Sequence, residues 1–405
     1  MKYVIIIADG AADYGLAELD GQTPLEAAHA PNTDRISREG HLGTVATTPT
    51  GFACGSDICC MSLLGYDPAR FHTGRAPLEA AALGINLAPT DWIFRVNLVT
   101  VVDGQMRDHS AGHIPDDQAR PLVEQLAAEL GLGIDSPLVL YPGVSYRNIM
   151  VDRANVRDWS TLQTTPPHDI PDQPMQQHLP TGSEHAPLLR ELIEDSHVRL
   201  RDHPINENRR SRGLPGATHL WPWGQGTRPN LEDFRKQFGV RGAMITAVDL
   251  LAGLAVFIGW DCLDVPGQTS YHDTDYATAG HYAIEALIDY DLVCVHVESP
   301  DEAAHAADVA TKVEAIEAID QHVVGPILDA LSRIGPDHRI LYLPDHYTSA
   351  ASRKHDATPV PFAMCGKSVA GAGGESFDEI HARSSNLHFQ HGHELMPHFL
   401  FGGLS

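Results

Sequence analysis

Apolar runs and polar breaks follow one rhythm at the two ends of the chain and another in the middle. Residues 3–8 are an unbroken apolar run closed by Asp9 and Gly10, as in a strand buried on both faces that ends in a loop. Pro31, Asn32, Thr33 and Asp34 open a helix running to about Glu39. In 51–68, GFACGSDICCMSLLGYDP, small turn-prone residues precede Ile58, Met61, Leu63 and Leu64, an apolar helical face, and a short helix follows at 77–83. Residues 93–102 read as a strand. From there to Gly216 helices at 116–129 and 186–199 alternate with strands at 138–141 and 146–151, and 164–182 is a Pro-rich loop. Beyond 221–224 come a strand at 242–248, a helix to about 255, a helix at 276–288, a strand at 292–297, a helix at 312–332, and strands at 339–343 and 360–364. This alternation predicts an α/β fold, a mostly parallel sheet with helices on both faces, carried by 1–91 and 217–405. A smaller α+β domain, 92–216, interrupts it.

A length of 405 residues favours two domains over one. The net charge of −25, with no run of Lys or Arg, argues against nucleic-acid and membrane partners. An anionic substrate must then be drawn in by metals and a few local arginines. The six cysteines show no paired CxxC spacing, so reduced thiols in a cytoplasmic protein are expected. No apolar stretch approaches the ~20 residues that span a bilayer. The 24 histidines hint at metal chemistry, and the glycines within 366–374 read as an ordinary loop.

Three later strands run into acidic and histidine residues. The 292–297 strand leads to Asp301 and His305, the 339–343 strand to Asp345 and His346, and His355 precedes the 360–364 strand. If these strands are parallel in one sheet, Asp9, Asp301, His305, Asp345, His346 and His355 converge along one edge. Carboxylate with imidazole suits Zn²⁺ or Mn²⁺ better than Ca²⁺. Six donors fit two ions, which in such sites lie ~3.5–4 Å apart. Ser56 would present its hydroxyl at the positive end of a helix, where an anion is well held and a cation would make it nucleophilic. The plainer alternatives are that Ser56 caps its helix, Asp9 a turn and Asp301 the helix of His305, with Asp345 and His346 in an exposed loop.

The ordered stretches IIIADGAAD, GSDICCMSLLGYDP, TGRAPLEAAALGI, SAGHI, PGVSYR, TTPPHDI, HPINENRRSRG, WPWGQG, AVDLL, HVESPDEAAH, VVGPIL and LPDH carry a further reading. With them the chain closely resembles the archaeal-type cofactor-independent phosphoglycerate mutases of the alkaline phosphatase superfamily. The resemblance implies an alkaline-phosphatase-like fold and an isomerase. One metal would be held by Asp301, His305 and His355, the other by Asp9, Ser56, Asp345 and His346. Ser56 would take the phosphoryl group of 3-phosphoglycerate and return it to the 2-hydroxyl. The expected cofactors are two divalent ions, Mn²⁺ foremost with Zn²⁺, Co²⁺ or Mg²⁺ as alternatives, and no 2,3-bisphosphoglycerate.

Phosphate calls for multidentate donors. Arg209 and Arg212, with Arg147 and His113 in neighbouring motifs, are the substrate-binding candidates; Arg75 and the His168–Asp169 pair stand behind them. Ala252 stands where relatives carry Lys or Arg, Tyr347 and Ser349 flank Thr348 where the family has DHPTP, and 267–274 departs from GATGYLDT. A phosphatase, with water accepting the phosphoryl group, is the rival reading. A kinase lacks its GxxxxGK[ST] loop here, and a metal-storing protein would not need Ser56. His388, His391, His393 and His398 read as surface residues.

Overall fold

The computed structural model describes residues 1–369, 371 and 374–402, so 370, 372 and 373 of the expected 366–374 loop lie outside the described residues. It divides into two units, Met1–His72 with Leu231–Ser405, and Thr73–Asn230. Among the described residues no helix is long and apolar enough to cross a membrane.

In the first unit the strand Lys2–Ala8 is buried from Val4 to Ala8, so both of its faces are covered. It pairs in parallel with Leu292–Val297 on one side and His338–Leu343 on the other. Among the described residues the sheet has eight strands, in the order His388–Phe389, His41–Val45, Val360–Gly366, His338–Leu343, Lys2–Ala8, Leu292–Val297, Gly242–Ile245, Asp261–Cys262. It is mostly parallel. The exception corrects the expectation for the last predicted strand: Val360–Gly366 runs antiparallel to both neighbours. The chain returns directly from the Tyr347–Ser349 and Lys354–Asp356 hairpin, without the helical crossover that a parallel neighbour requires. His41–Val45 escaped the sequence reading because it is short and interrupted by Gly43.

The long helix expected at 312–332 begins earlier, as Val309–Ile319, and continues as Gly325–Ile334 after a wider π turn over Asp320–Val324. That turn faces the buried Asp320 carboxylate toward the Pro31–Glu39 helix, where it accepts from the backbone N–H groups of Asn32 and Thr33 at 3.2 and 2.7 Å.

The second unit is built on antiparallel strands. Trp92–Val102 pairs with Gln105–Asp108, Arg147–Asp152 and His219–Thr227, and Leu138–Val144 adds to Arg147–Asp152. The His219–Thr227 strand is part of this sheet and the Ala76–Ala82 helix packs on it, so the unit, Thr73–Asn230, is wider than the 92–216 expected from texture. The helices Asp116–Glu129 and Ala186–Leu200 supply Leu122, Val123, Leu126 and Leu189 to a core with Phe94, Met150 and Trp159. Trp159 is fully buried, stands edge-on to Phe94 and donates to Asp152 at 2.8 Å.

His219 stacks on His197, with ring centroids 4.4 Å apart. Burial, reinforced by His197, pushes His219 down from 6.5 to about 3. The unfolded chain takes up this proton near pH 6.5 and the folded chain only near 3, so the stability that neutral His219 contributes is lost as pH falls through that window. Urea unfolding should therefore have a lower midpoint at about pH 5 than at about pH 7.5, and His219→Gln should narrow the gap. An unchanged gap in the variant would show that this residue does not set it.

Candidate active site

Parallel strands of matched register end level with one another, and the functional side chains sit just beyond those ends. Asp9 follows Lys2–Ala8 directly and its N–H is bonded to Val297 at 2.9 Å. Gly10 then turns with φ +59°, and a Cβ there would lie 2.5 Å from both Asp301 Oδ1 and Thr348 Oγ1. Only glycine meets both demands. Its N–H donates to Asp345 Oδ1 at 3.2 Å, which joins the loop after one strand to the loop after the next.

Two groups of donors result. In the first, the donor atoms of Asp9, Asp345 and His346 lie within 4.8 Å of one another, all three residues buried. His346 Nε2 is 3.3 Å from Asp345 Oδ2 and 3.5 Å from Asp9 Oδ1. In the second, Asp301 and His305 share one face of the Ser299–His305 helix, four residues apart, and His355 comes from the hairpin. His305 Nε2 is 3.2 Å and His355 Nε2 3.4 Å from the Asp301 carboxylate, and the two ring nitrogens face each other at 2.9 Å. The groups adjoin, with the rings of His346 and His355 stacked 4.1 Å apart.

Ser56 is the first residue of the Ser56–Leu63 helix, behind Gly55 as N-cap, so it does not occupy the capping position. Its hydroxyl instead lies 3.3 Å from Asp9 Oδ2 and 3.3 Å from His346 Nε2. The capping alternative is thereby removed. Asp301 likewise lies inside its helix rather than at the cap, which is Glu298.

Burial, then the neighbouring Asp345 and Asp301, raises the Asp9 carboxyl well above the usual range. Burial would do the same to Asp301, but hydrogen bonds from His305 and His355 hold it well below. His355 resists its own burial through that bond with Asp301 and is raised to about 9. Fit to divalent cations rests on the donors themselves. Asp9 Oδ1 is fully buried and accepts no hydrogen bond. The Nδ1 atoms of His305 and His355 face the carbonyls of Arg353 and Cys54 at 3.1 and 3.4 Å, an arrangement that aims each Nε2 at Asp301, where it can serve a cation once its proton is displaced.

His296 was missed by the sequence reading. It is a lone polar residue in the Leu292–Val297 strand, and that interruption was the available signal. Burial pushes it down to about 4, so the ring is neutral. It bridges Thr246 Oγ1 at 3.1 Å and Asp9 Oδ2 at 2.9 Å, fixing the Asp9 carboxylate from behind.

In the second unit Arg147 is exposed, with its guanidinium 5.7 Å from the Tyr146 ring centre; exposed His113 stands edge-on to the same ring. Arg212 is exposed at the end of the Pro204–Ser211 helix. Arg209 differs. It is buried, and its guanidinium bonds to Pro215 O, Gln118 Oε1 and Ala111 O at 2.7, 2.8 and 2.7 Å, which spends it on the fold. Arg75 and His168 are exposed, and His168 stands edge-on to Trp223. Among the described residues no cation-holding group gathers His388, His391, His393 or His398.

This α/β framework, with two carboxylate–imidazole groups at the ends of its parallel strands, defines a protein of the metal-dependent kind. The family model of 2,3-bisphosphoglycerate-independent phosphoglycerate mutase matches residues 37–206. A protein of that name from Methanothrix thermoacetophila is 45% identical over 99% of this chain and 100% of its own length. One described as a probable mutase of the same kind, from Geobacter sulfurreducens, is 41% identical over the same shares. Among solved structures, a Pyrococcus horikoshii protein superposes with a TM-score of 0.83 at 30% identity, covering 98% of this chain and 96% of its own. The cofactor-independent phosphoglycerate mutase of Thermoplasma acidophilum gives 0.68 at 25% identity, covering 99% of each. The chain belongs to the 2,3-bisphosphoglycerate-independent phosphoglycerate mutase family, whose members are isomerases.

Adding Mn²⁺ to chelator-stripped protein at about a hundredfold excess over Kd is expected to stabilise it by about 3 kcal/mol. Asp301→Asn should lower the number of ions bound per chain, as read by metal analysis after gel filtration. Retention of the full complement would remove Asp301 from the donor set.

Proposed function

We propose that this chain interconverts 3-phosphoglycerate and 2-phosphoglycerate through a phosphoserine at Ser56. The observation that carries the reading is a serine hydroxyl at a helix start that declines to cap its helix and faces Asp9 and His346 instead. Two divalent ions, Mn²⁺ in our reading, would be held by Asp301, His305 and His355 and by Asp9, Ser56, Asp345 and His346, and would supply Lewis acidity and a more acidic serine hydroxyl.

Ser56 Oγ gives up its proton and attacks phosphorus, the bond to the 3-oxygen of the substrate breaks, and that oxygen takes up a proton. Glycerate turns, its 2-hydroxyl loses its proton and attacks the phosphoserine, and the Ser56 Oγ–P bond breaks as Ser56 regains a proton. The helix N-terminus behind Ser56 favours the anionic group throughout. His296 keeps Asp9 in place by its bond to Oδ2. We assign Arg147, Arg212 and His113 to the anionic groups of the substrate, and Arg209 to the support of the turn that carries His113. The six free thiols accord with a cytoplasmic enzyme.

With 3-phosphoglycerate, Mn²⁺ and no bisphosphoglycerate, the expected product is 2-phosphoglycerate with little free phosphate. Phosphate as the main product would make the enzyme a phosphatase instead. Ser56→Ala should lose turnover by on the order of a thousandfold or more while still binding metal through Asp345 and His346. Normal turnover by that variant would end the phosphoserine reading.

A further inference from the structure

Lys312 is fully buried on the Val309–Ile319 helix, with no role in the chemistry above. Its ammonium contacts Asp13 Oδ2 at 3.0 Å, the carbonyl of Thr348 at 2.7 Å and that of Ala12 at 3.4 Å. Asp13 is equally buried, and its Oδ2 also accepts from the N–H of Ala350 at 2.9 Å. An ion pair taken wholly out of water is a poor way to gain stability, since desolvation offsets its attraction. Its place in the fold gives it another use. The three oxygens gathered by Lys312 belong to the loop that follows Asp9 and to the strand that follows Asp345 and His346.

Thr348 carries the effect inward. Its hydroxyl donates to Asp301 Oδ1 at 2.5 Å. Having one proton, it can only accept from His346 Nδ1, 3.1 Å away. That assigns the ring proton of His346 to Nδ1 and leaves the Nε2 lone pair facing Ser56, Asp9 and Asp345. One hydroxyl thus orients a carboxylate in one donor group and an imidazole in the other, and Lys312 holds its backbone.

We propose that Lys312, paired with Asp13 and acting through Thr348, is a positioning residue that sets the spacing of the two cation sites. The inference rests on the two-cation reading given above. The test compares wild type, Thr348→Val and the charge-neutral double variant Lys312→Met with Asp13→Asn, which leaves no orphaned buried charge. Each is stripped of metal and titrated with Mn²⁺, with calorimetry giving stoichiometry and affinity and electron paramagnetic resonance reporting whether bound ions are spin-coupled.

Wild type should hold two coupled ions. Both variants should bind the second ion at least about tenfold more weakly and lose the coupling, while metal-free urea midpoints show that the double variant folds. If wild type holds two coupled ions and the folded variants do the same with equal affinity, this inference falls and the two-cation reading stands. If wild type takes up fewer than two ions, both fall.

Discussion

Three carboxylates, those of Asp9, Asp301 and Asp345, are buried side by side at one edge of a sheet in a chain that already carries a net charge of −25. Low dielectric makes their repulsion large and water cannot screen it. Every neighbouring feature answers that problem. His305 and His355 neutralise Asp301, Gly10 N–H and the Cys60 thiol donate to Asp345, and His296 donates to Asp9. Asp9 Oδ1 remains unanswered by protein, which is the local reason for reading a cation into the site.

The same electrostatics accounts for Ser56. A serine that caps its helix contributes about 1 kcal/mol to stability, and Gly55 in the cap position recovers most of that. The hydroxyl is left to point at the carboxylates. Local stability is given up at the point where our reading places the reacting group, and the buried strands beneath, with Ile5, Ile6 and Ile7 almost inaccessible, offset the loss.

The donors were legible in the sequence because parallel strands advertise their ends: an apolar run followed by Asp, or by Asp and His, states where its last side chain will be. What escaped depended on distant partners. Nothing beside His296, Lys312 or Thr348 in sequence points to Asp9, Asp13 or Asp301. Arg209 and Arg212 suit phosphate by residue type, but residue type says nothing of the carbonyls of Ala111 and Pro215 that claim Arg209. The change of texture falls at Gly216, which leaves the His219–Thr227 strand outside the inserted domain on sequence alone. Its membership in the sheet rests on pairing with Trp92–Val102, more than a hundred residues earlier.

The departure from the family pattern at Tyr347 and Ser349 has a structural answer. Prolines on either side of Thr348 would stiffen the backbone there without any partner. Tyr347–Ser349 is held instead by antiparallel pairing with Lys354–Asp356, and Thr348 lies directly opposite His355. Tyr347 is fully buried against Tyr14, and its hydroxyl accepts from Arg383 at 3.2 Å. Thr348 lies across from His355 and follows His346 by two residues, so the stretch 346–355 carries one member of each donor group. Rigidity supplied by cross-strand pairing in place of proline leaves the backbone N–H groups of Tyr347 and Ser349 available, and Tyr347 is bridged to Ala11 and Ala12 in the loop that follows Asp9. The substituted positions therefore tie the two ends of the chain together at the site rather than loosening it.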